Sequence, residues 1–319
     1  MRLKATAMLS LALAASLGLA TAAHARDPFK ITYIMGLTGN PFYSTVACGG
    51  TEVAKQLNVA FDAQGPAQYQ PALQMRVLDA VIASKPDGIM FTADDPVALT
   101  ATLIQAKAMG IKIISIDGDV QDMSVAIANI QSDNVRGGME AGKALAAAIG
   151  GKGKVMALMN SPAANVAQQR LKGFTDELKN HPDITFLGPQ YSNNQTVKAA
   201  GIVTATVAAN PDLAGIFTIT TNNTEGAATG VREVGGIGRI KIVGFDTSDP
   251  IVEAIRQGIV TADVVQYPYE VGRLGVKMMV DALEGRPVQR QVNTPFVIAT
   301  KDNIDTPEVQ KFIYKMKCQ

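Results

Sequence analysis

The sequence predicts an α/β protein with parallel sheets, built twice over. Short β-branched runs alternate with amphipathic stretches of a dozen or more residues, and the loops between them carry Gly, Asn, Asp or Pro. Several strands are continuous apolar runs, such as Ile-Lys-Ile-Ile-Ser-Ile and Ile-Lys-Ile-Val-Gly-Phe. Such runs suit the covered centre of a parallel sheet better than a half-exposed antiparallel strand. The chain has 319 residues, more than one core usually fills, so two lobes are expected.

In chain order the predicted strands fall at 30–35, 59–62, 88–91, 112–116 and 125–129, then at 155–159, 185–187, 215–218, 241–245 and 261–265, with a late one at 296–299. Helical spacing covers 43–57, 70–83, 97–109, 134–149, 164–178, 196–208, 224–234 and 271–283. Asn40, ahead of Pro41, reads as a helix cap, a ligand contact or both. Asp94 and Asp95 before Pro96, and Asp249 before Pro250, read as caps.

Residues 1–25 read as a secretory signal peptide. Arg2 and Lys4 precede an uncharged, Ala-rich stretch from Ala5 to Ala23, and Ala23-His-Ala25 offers small residues at the cleavage positions. A membrane anchor would be richer in Leu, Ile and Phe. Removal of Arg2 and Lys4 takes the formal net charge from +1 to −1. The mature protein is expected to be exported and soluble.

Composition narrows the chemistry further. A balance of 29 basic against 28 acidic residues gives no field for nucleic-acid phosphates. Cys48 and Cys318 are the only cysteines, which excludes a disulfide scaffold and paired-Cys zinc spacing. In an oxidising compartment these two either bridge or stay apart, and the sequence leaves both open. His24 leaves with the signal, and His181 sits in a turn, so a Ser-His-Asp arrangement or a multi-histidine metal site has nothing to be built from. Gly36-x-x-Gly39, Gly150 to Lys154 and Gly235 to Gly238 all lack the spacing or context of phosphate-binding loops. No catalytic residue, metal or cofactor is expected.

In parallel α/β sheets ligands bind beyond the carboxyl ends of the strands. There the sequence places Gly36-Leu-Thr-Gly-Asn-Pro-Phe-Tyr43, Asp117-Gly-Asp119, Asn160-Ser-Pro, Thr220-Thr-Asn222, Asp246-Thr-Ser-Asp249 and Gln266-Tyr-Pro268. Carboxylates, amides, hydroxyls and an aromatic pair with few cations suit a neutral polyhydroxylated molecule better than a phosphate. Asp117 and Asp246 end apolar strands, where an unpaired carboxylate is costly. Asp119 is a weaker candidate, since aspartate is common in turns.

Several ordered motifs together resemble the periplasmic sugar-binding proteins of the ribose-binding type, the solute receptors of ABC importers. They are Asn40-Pro-Phe-Tyr43, Ile114-Ser-Ile-Asp117, Gln131-Ser-Asp-Asn134, Arg170-Leu-Lys-Gly-Phe174, Val243-Gly-Phe-Asp246 and Gln266-Tyr-Pro268, spread from about residue 30 to 299. The resemblance implies a type I periplasmic binding protein fold: two doubly wound lobes joined by three crossover strands, near 130–133, 264–266 and 292–294. The amino-terminal lobe would hold 26–131 plus 266–292, and the carboxy-terminal lobe 132–265 plus 293–319. It implies sugar contacts from Asn40, one or both of Phe42 and Tyr43 (the other being core), Asp117, Asp246 and Gln266, with Asn165 and Gln168 facing the pocket one helical turn apart. Asp119, Thr220 and Asn222 complete the set. The implied partners are a neutral sugar or polyol, an inner-membrane ABC permease and a chemoreceptor, with the protein a monomer. Ribose binders carry Arg where this chain has Gly118, and a second Arg where it has Gln168, which argues against ribose itself. The second reading is a receptor for the furanosyl quorum signal, whose Lys after the first strand is Gly36 here. An exported α/β enzyme ranks behind both.

Overall fold

The computed structural model describes residues 27–318. The expected signal peptide lies outside the described residues. The strand–helix alternation folds into two six-stranded sheets that repeat one strand order.

The first sheet is built from β1 (Lys30–Ile34), β2 (Ala60–Gln64), β3 (Gly88–Phe91), β4 (Lys112–Ile116), β5 (Ala128–Ser132) and β11 (Gln291–Thr294). The second is built from β6 (Gly153–Met159), β7 (Ile184–Tyr191), β8 (Leu213–Thr218), β9 (Lys241–Phe245), β10 (Ala262–Gln266) and β12 (Phe296–Thr300). Their orders are β2-β1-β3-β4-β5-β11 and β7-β6-β8-β9-β10-β12. Every pairing is parallel except β10 with β12.

Parallel strands require helical crossovers, and these cover both faces of each sheet. In the first lobe α1 (Pro41–Gln56) packs with α9 (Pro268–Leu283), against Ile31, Tyr33, Met90 and Ile114. The opposite face carries α2 (Pro71–Ala83) and α3 (Thr100–Ala108), against Ile34, Ile89, Phe91 and Ile113. In the second lobe α4 (Asn134–Ala148) and α5 (Asn165–Leu178) cover Val155, Phe217, Val243 and Phe245. There α6 (Thr196–Ala209) and α7 (Thr221–Glu233) take the other face, against Met156, Leu158, Ile216 and Ile242. Neighbouring strand residues point to opposite faces, so one apolar run such as Val155–Met159 feeds two cores.

The differences from expectation have physical causes. The strand expected at 125–129 forms three residues later, because β4 pairs Ile114 with Ala128 while Val125 and Ala126 are buried in the approach to it. Residues 291–294, expected only as a crossing, form β11 on β5. An unexpected helix, α8 (Asp249–Arg256), is capped by Ser248 rather than Asp249, which stands inside its first turn. At the other cap position Asp95 receives the amides of Val97 and Ala98, and Asp94 does not.

The chain passes between the sheets at Asp133, Tyr267 and Pro295. A fourth passage follows α10 (Pro307–Gln310). The expected boundaries count the tail with the carboxy-terminal lobe, while the sequence leaves open what residues 305–319 pack against. The tail returns to α1, where Cys318 forms a disulfide with Cys48, Cα to Cα 5.1 Å. The apolar side chains Phe312 and Tyr314 draw it there, since both are buried in the core cluster that includes Phe42 and Val46.

Candidate functional site

Between the lobes, at the carboxyl ends of both sheets, lies a cleft of about 610 Å³ counted out to its mouth. Its walls come from the segments after β1, β3 and β4 on one side and after β6, β8 and β9 on the other.

The two strand-end aspartates are placed by the same device in each lobe. Asp117 donates its backbone N–H to Ile130 O and Asp246 to Val264 O, both at 2.9 Å, each reaching the next strand of its sheet. Both then turn through the left-handed region, at φ 49° and 70°. Aspartate tolerates that region better than most residues, yet it costs on the order of 1 kcal/mol. The turn aims both carboxyls into the cleft.

Between them stands Arg170, a residue the sequence reading used as a motif letter and left out of the site. It lies on the buried face of α5 with Ala167 and Phe174, and is 2% exposed. The α4–α5 pair brings it close because glycines remove the side chains between the backbones. A Cβ on Gly138 would stand 2.0 Å from Arg170 O, and one on Gly173 would stand 1.9 Å from Val135 O. The guanidinium lies over the Phe245 ring at 3.7 Å. Its Nε donates to Asn134 Oδ1 (2.9 Å), and its Nη1 to Ile219 O (2.6 Å) and Asp246 Oδ2 (3.3 Å). Nη2 faces Asp117 Oδ1 at 3.7 Å, beyond hydrogen-bond reach. Both of these atoms are buried and have no hydrogen-bond partner among the described residues. Asp246 Oδ1 accepts from Gln266 Nε2 (2.7 Å) and from the Tyr314 hydroxyl (2.6 Å).

Burial pushes the Asp117 carboxyl up to about 6, with Arg170 pulling it down and Asp246 adding to the rise. Asp94 is pushed further, to about 9, chiefly by burial, with Asp95 adding to the rise. Neither Asp94 oxygen has a partner among the described residues. Its Oδ1 stands 2.6 Å from where a Gly36 Cβ would be, with the Tyr43 hydroxyl 2.7 Å from the same point. Burial likewise raises Tyr43 and Tyr69, so both phenols keep their protons.

Eight of the eleven residues singled out from the sequence line this cleft: Asn40, Phe42, Tyr43, Asp117, Asp119, Asn165, Thr220 and Asp246. Asn40 is also the cap of α1, its Oδ1 accepting from Phe42 N at 2.9 Å. Three stand elsewhere. Gln168 is exposed and donates to Pro162 O at 3.0 Å, because that carbonyl lies on its flank of the helix. Gln169 takes the inward place, donating to Asn165 Oδ1 at 3.0 Å. Gln266 is buried behind Asp246, and Asn222 lines the neighbouring groove. The cleft takes Asn160 from the strand-end segments read in the sequence and adds Tyr69, Asn194 and Arg170.

The lobes touch across the cleft. Asn40 Nδ2 donates to Asn222 Oδ1 at 3.1 Å, while Asn165 Nδ2 and Gln169 Nε2 donate to Asp119 Oδ2 at 3.3 and 3.4 Å. Asn129 holds the other Asp119 oxygen. Asp119 is thus occupied by protein donors from both lobes. Among the described residues no group of His, Cys, Asp and Glu is arranged to hold a metal. No helix there is long and apolar enough to cross a membrane.

Two matching lobes with a polar cleft closed between them define a two-lobed solute-binding protein. Residues 31–287 match the periplasmic binding protein domain, and the chain belongs to that family, whose members bind solutes and are not enzymes. Among its relatives is the D-allose-binding periplasmic protein of Escherichia coli K12, 26% identical over 272 residues, covering 83% of this chain and 87% of that one. A solute-binding protein of an ABC transporter from Agrobacterium vitis, solved with α-D-tagatopyranose, is 36% identical with a TM-score of 0.88, covering 90% and 99% of the two chains. A second from the same organism, solved with D-fucose, is 29% identical with a TM-score of 0.86, covering 89% and 100%.

Proposed function

We propose that this chain is the periplasmic sugar-capturing component of an ABC importer, binding one neutral monosaccharide or polyol in the cleft between its lobes. In this reading residues 1–25 direct export and are cleaved, and the mature protein is a monomer. The lobes hinge near 130–133, 264–266 and 292–294, and the closed outer faces are read by an inner-membrane permease and by a chemoreceptor.

One observation carries the reading: Asp117 Oδ1 and Arg170 Nη2, an acceptor and a donor 3.7 Å apart, are both buried at the cleft with no hydrogen-bond partner among the described residues. Each unmade bond costs on the order of 1–3 kcal/mol. A single hydroxyl repairs both, since its hydrogen serves the carboxylate while its oxygen accepts from the guanidinium. Asp246 retains an acceptor site on Oδ2, and Asn40, Asn160 and Asn194 offer amides around it. The charges at the centre are one guanidinium against two carboxylates, a setting that repels phosphate and carboxylate ligands. Phe42, Tyr43 and Tyr69 supply ring surface for the C–H face of a sugar. Such a ligand shifts the protein only if it binds the closed form more tightly than the open one, as a sugar touching Asp117 from one lobe and Arg170 from the other would.

The named relatives support a monosaccharide and lend nothing to the furanosyl-signal alternative. The structure also reopens ribose, because Arg170 supplies a guanidinium that the sequence reading had counted as lost. A thermal-shift screen with D-ribose, D-allose, D-tagatose, D-fucose, D-arabinose and the corresponding alditols tests the proposal. At 100 times Kd a ligand adds about 2.7 kcal/mol, a rise of several degrees in Tm. A flat response to all of them, and to other pentoses and hexoses, rejects it.

A further inference from the structure

The tail after α10 is the part of the chain whose role neither the fold nor the family accounts for. It runs along one face of α1 and is fastened there three times at one-turn intervals. The Tyr314 ring meets Phe42 edge-on at 5.8 Å between centroids. Thr45 Oγ1, which donates back to Pro41 O (2.7 Å), accepts from Lys315 N (2.6 Å). Cys318 then closes the disulfide with Cys48. Residues 42, 45 and 48 belong to the first lobe, whereas the Tyr314 hydroxyl is bonded to groups of the second. It donates to Asp246 Oδ1 at 2.6 Å and accepts from the backbone N–H of Gln266 at 3.2 Å.

From these contacts we propose that the tail is a disulfide-fastened strap whose Tyr314 is a positioning residue of the binding site, fixing the carboxylate of Asp246. The inference rests on the sugar-binding reading for its ligand, but its geometry stands without one. Asp246 Oδ1 is held by two donors, Gln266 and Tyr314, so that Oδ2 is left to Arg170 and to a ligand. Tyr314 is 3% exposed, and burial together with Asp246 keeps its proton on well above the usual phenol range, so it remains a donor. A phenol hydroxyl reaching in from a tail is free to wander unless the tail is tied down. Irregular backbone links it to α10, and the fastenings on α1 supply the constraint. Cys48 is buried and Cys318 exposed, so the bond closes the strap from its outer end.

The test compares Tyr314→Phe, Cys318→Ser and the double variant with the wild type, using calorimetry with the tightest sugar of the panel and amide hydrogen exchange without sugar. Tyr314→Phe keeps the ring on Phe42 and removes only the hydroxyl. The expected result is about 10-fold weaker binding, with Tm lowered by a few degrees for the lost buried hydrogen bond, and faster exchange at the Gln266 amide, which has lost its acceptor. Cys318→Ser weakens binding by a smaller factor and raises the same exchange. In the double variant the two losses do not add, because both act through one contact. Sugar affinity and Gln266 exchange unchanged in both single variants would overturn the proposal and leave the sugar reading intact. Faster Gln266 exchange in a protein that binds no sugar of the panel would uphold the strap and reject the sugar reading. A lower Tm with unchanged affinity would reduce Tyr314 to a packing residue.

Discussion

Asp117→Asn separates binding from folding more cleanly than any other substitution at the site. The change keeps the shape of the side chain and tolerates the left-handed backbone at φ 49°. It removes a charge that burial opposes: the folded carboxyl sits at about 6 against an ordinary value of 3.8. Two pK units correspond to about 3 kcal/mol, so at pH 7.5 the sugar-free variant gains on the order of 1–3 kcal/mol of stability over the wild type. Asp117 Oδ1 makes no hydrogen bond among the described residues, and the 3.7 Å ion pair with Arg170 that is lost is already counted in the raised carboxyl. Binding moves the other way. A hydrogen bond to a charged group contributes about 1.5–3 kcal/mol, so the sugar should bind about 10- to 150-fold more weakly. Sugar that needs the ionised carboxylate also binds the wild type less well as pH falls through about 6, and Asp117→Asn removes that dependence. Calorimetry from pH 5 to 8, with thermal unfolding of the sugar-free proteins, measures both. Unchanged affinity beside raised stability would show that the ligand does not use Asp117; a fall in both would make Asp117 a structural residue.

Three further outcomes follow from other parts of the molecule. Asp94 holds its proton in the fold up to about 9 and releases it near 3.8 when unfolded, so its contribution is full below pH 4 and drains away as pH rises to 9; the Tm advantage of Asp94→Asn should therefore grow from pH 5 to 8, and a constant difference would refute the assignment. Asp119→Ala breaks the bonds to Asn165 and Gln169 and should weaken sugar binding about 3- to 10-fold through faster release, visible in stopped-flow traces; a slower association rate alone would contradict it. Gly173→Ala places a Cβ 1.9 Å from Val135 O and should cost about 1–3 kcal/mol in denaturant unfolding, whereas a neutral result would mean the α4–α5 approach is looser than described.

The fold was legible because it rests on local patterns. Runs such as Ile-Val-Gly-Phe before Asp246 carry both the strand and its covered position, and the alternation with helices carries the parallel topology. The strand-end aspartates were legible for a related reason, since a carboxylate closing an apolar strand needs a partner. Arg170 carried a similar signal that went unused: a cation at a core position of α5, between Ala167 and Phe174, must be paired inside. Gln168 was preferred by analogy although Gln169, one residue on, points to Asp119. Asp94 and Asp95 could not be told apart from sequence, as both precede Pro96 and only tertiary placement buries one and leaves the other to cap. Tyr314 left no local trace at all. Its contact with Asp246 spans 68 residues and its segment is tied down by a disulfide spanning 270, and no periodicity reports a contact of that range.

A crystal structure of the complex with the tightest sugar of the panel addresses the central claim directly. One ligand hydroxyl should lie about 2.7–3.2 Å from both Asp117 Oδ1 and Arg170 Nη2, with a second on Asp246 Oδ2. A sugar seated elsewhere, or a cleft in which those two atoms meet nothing but solvent, would contradict it.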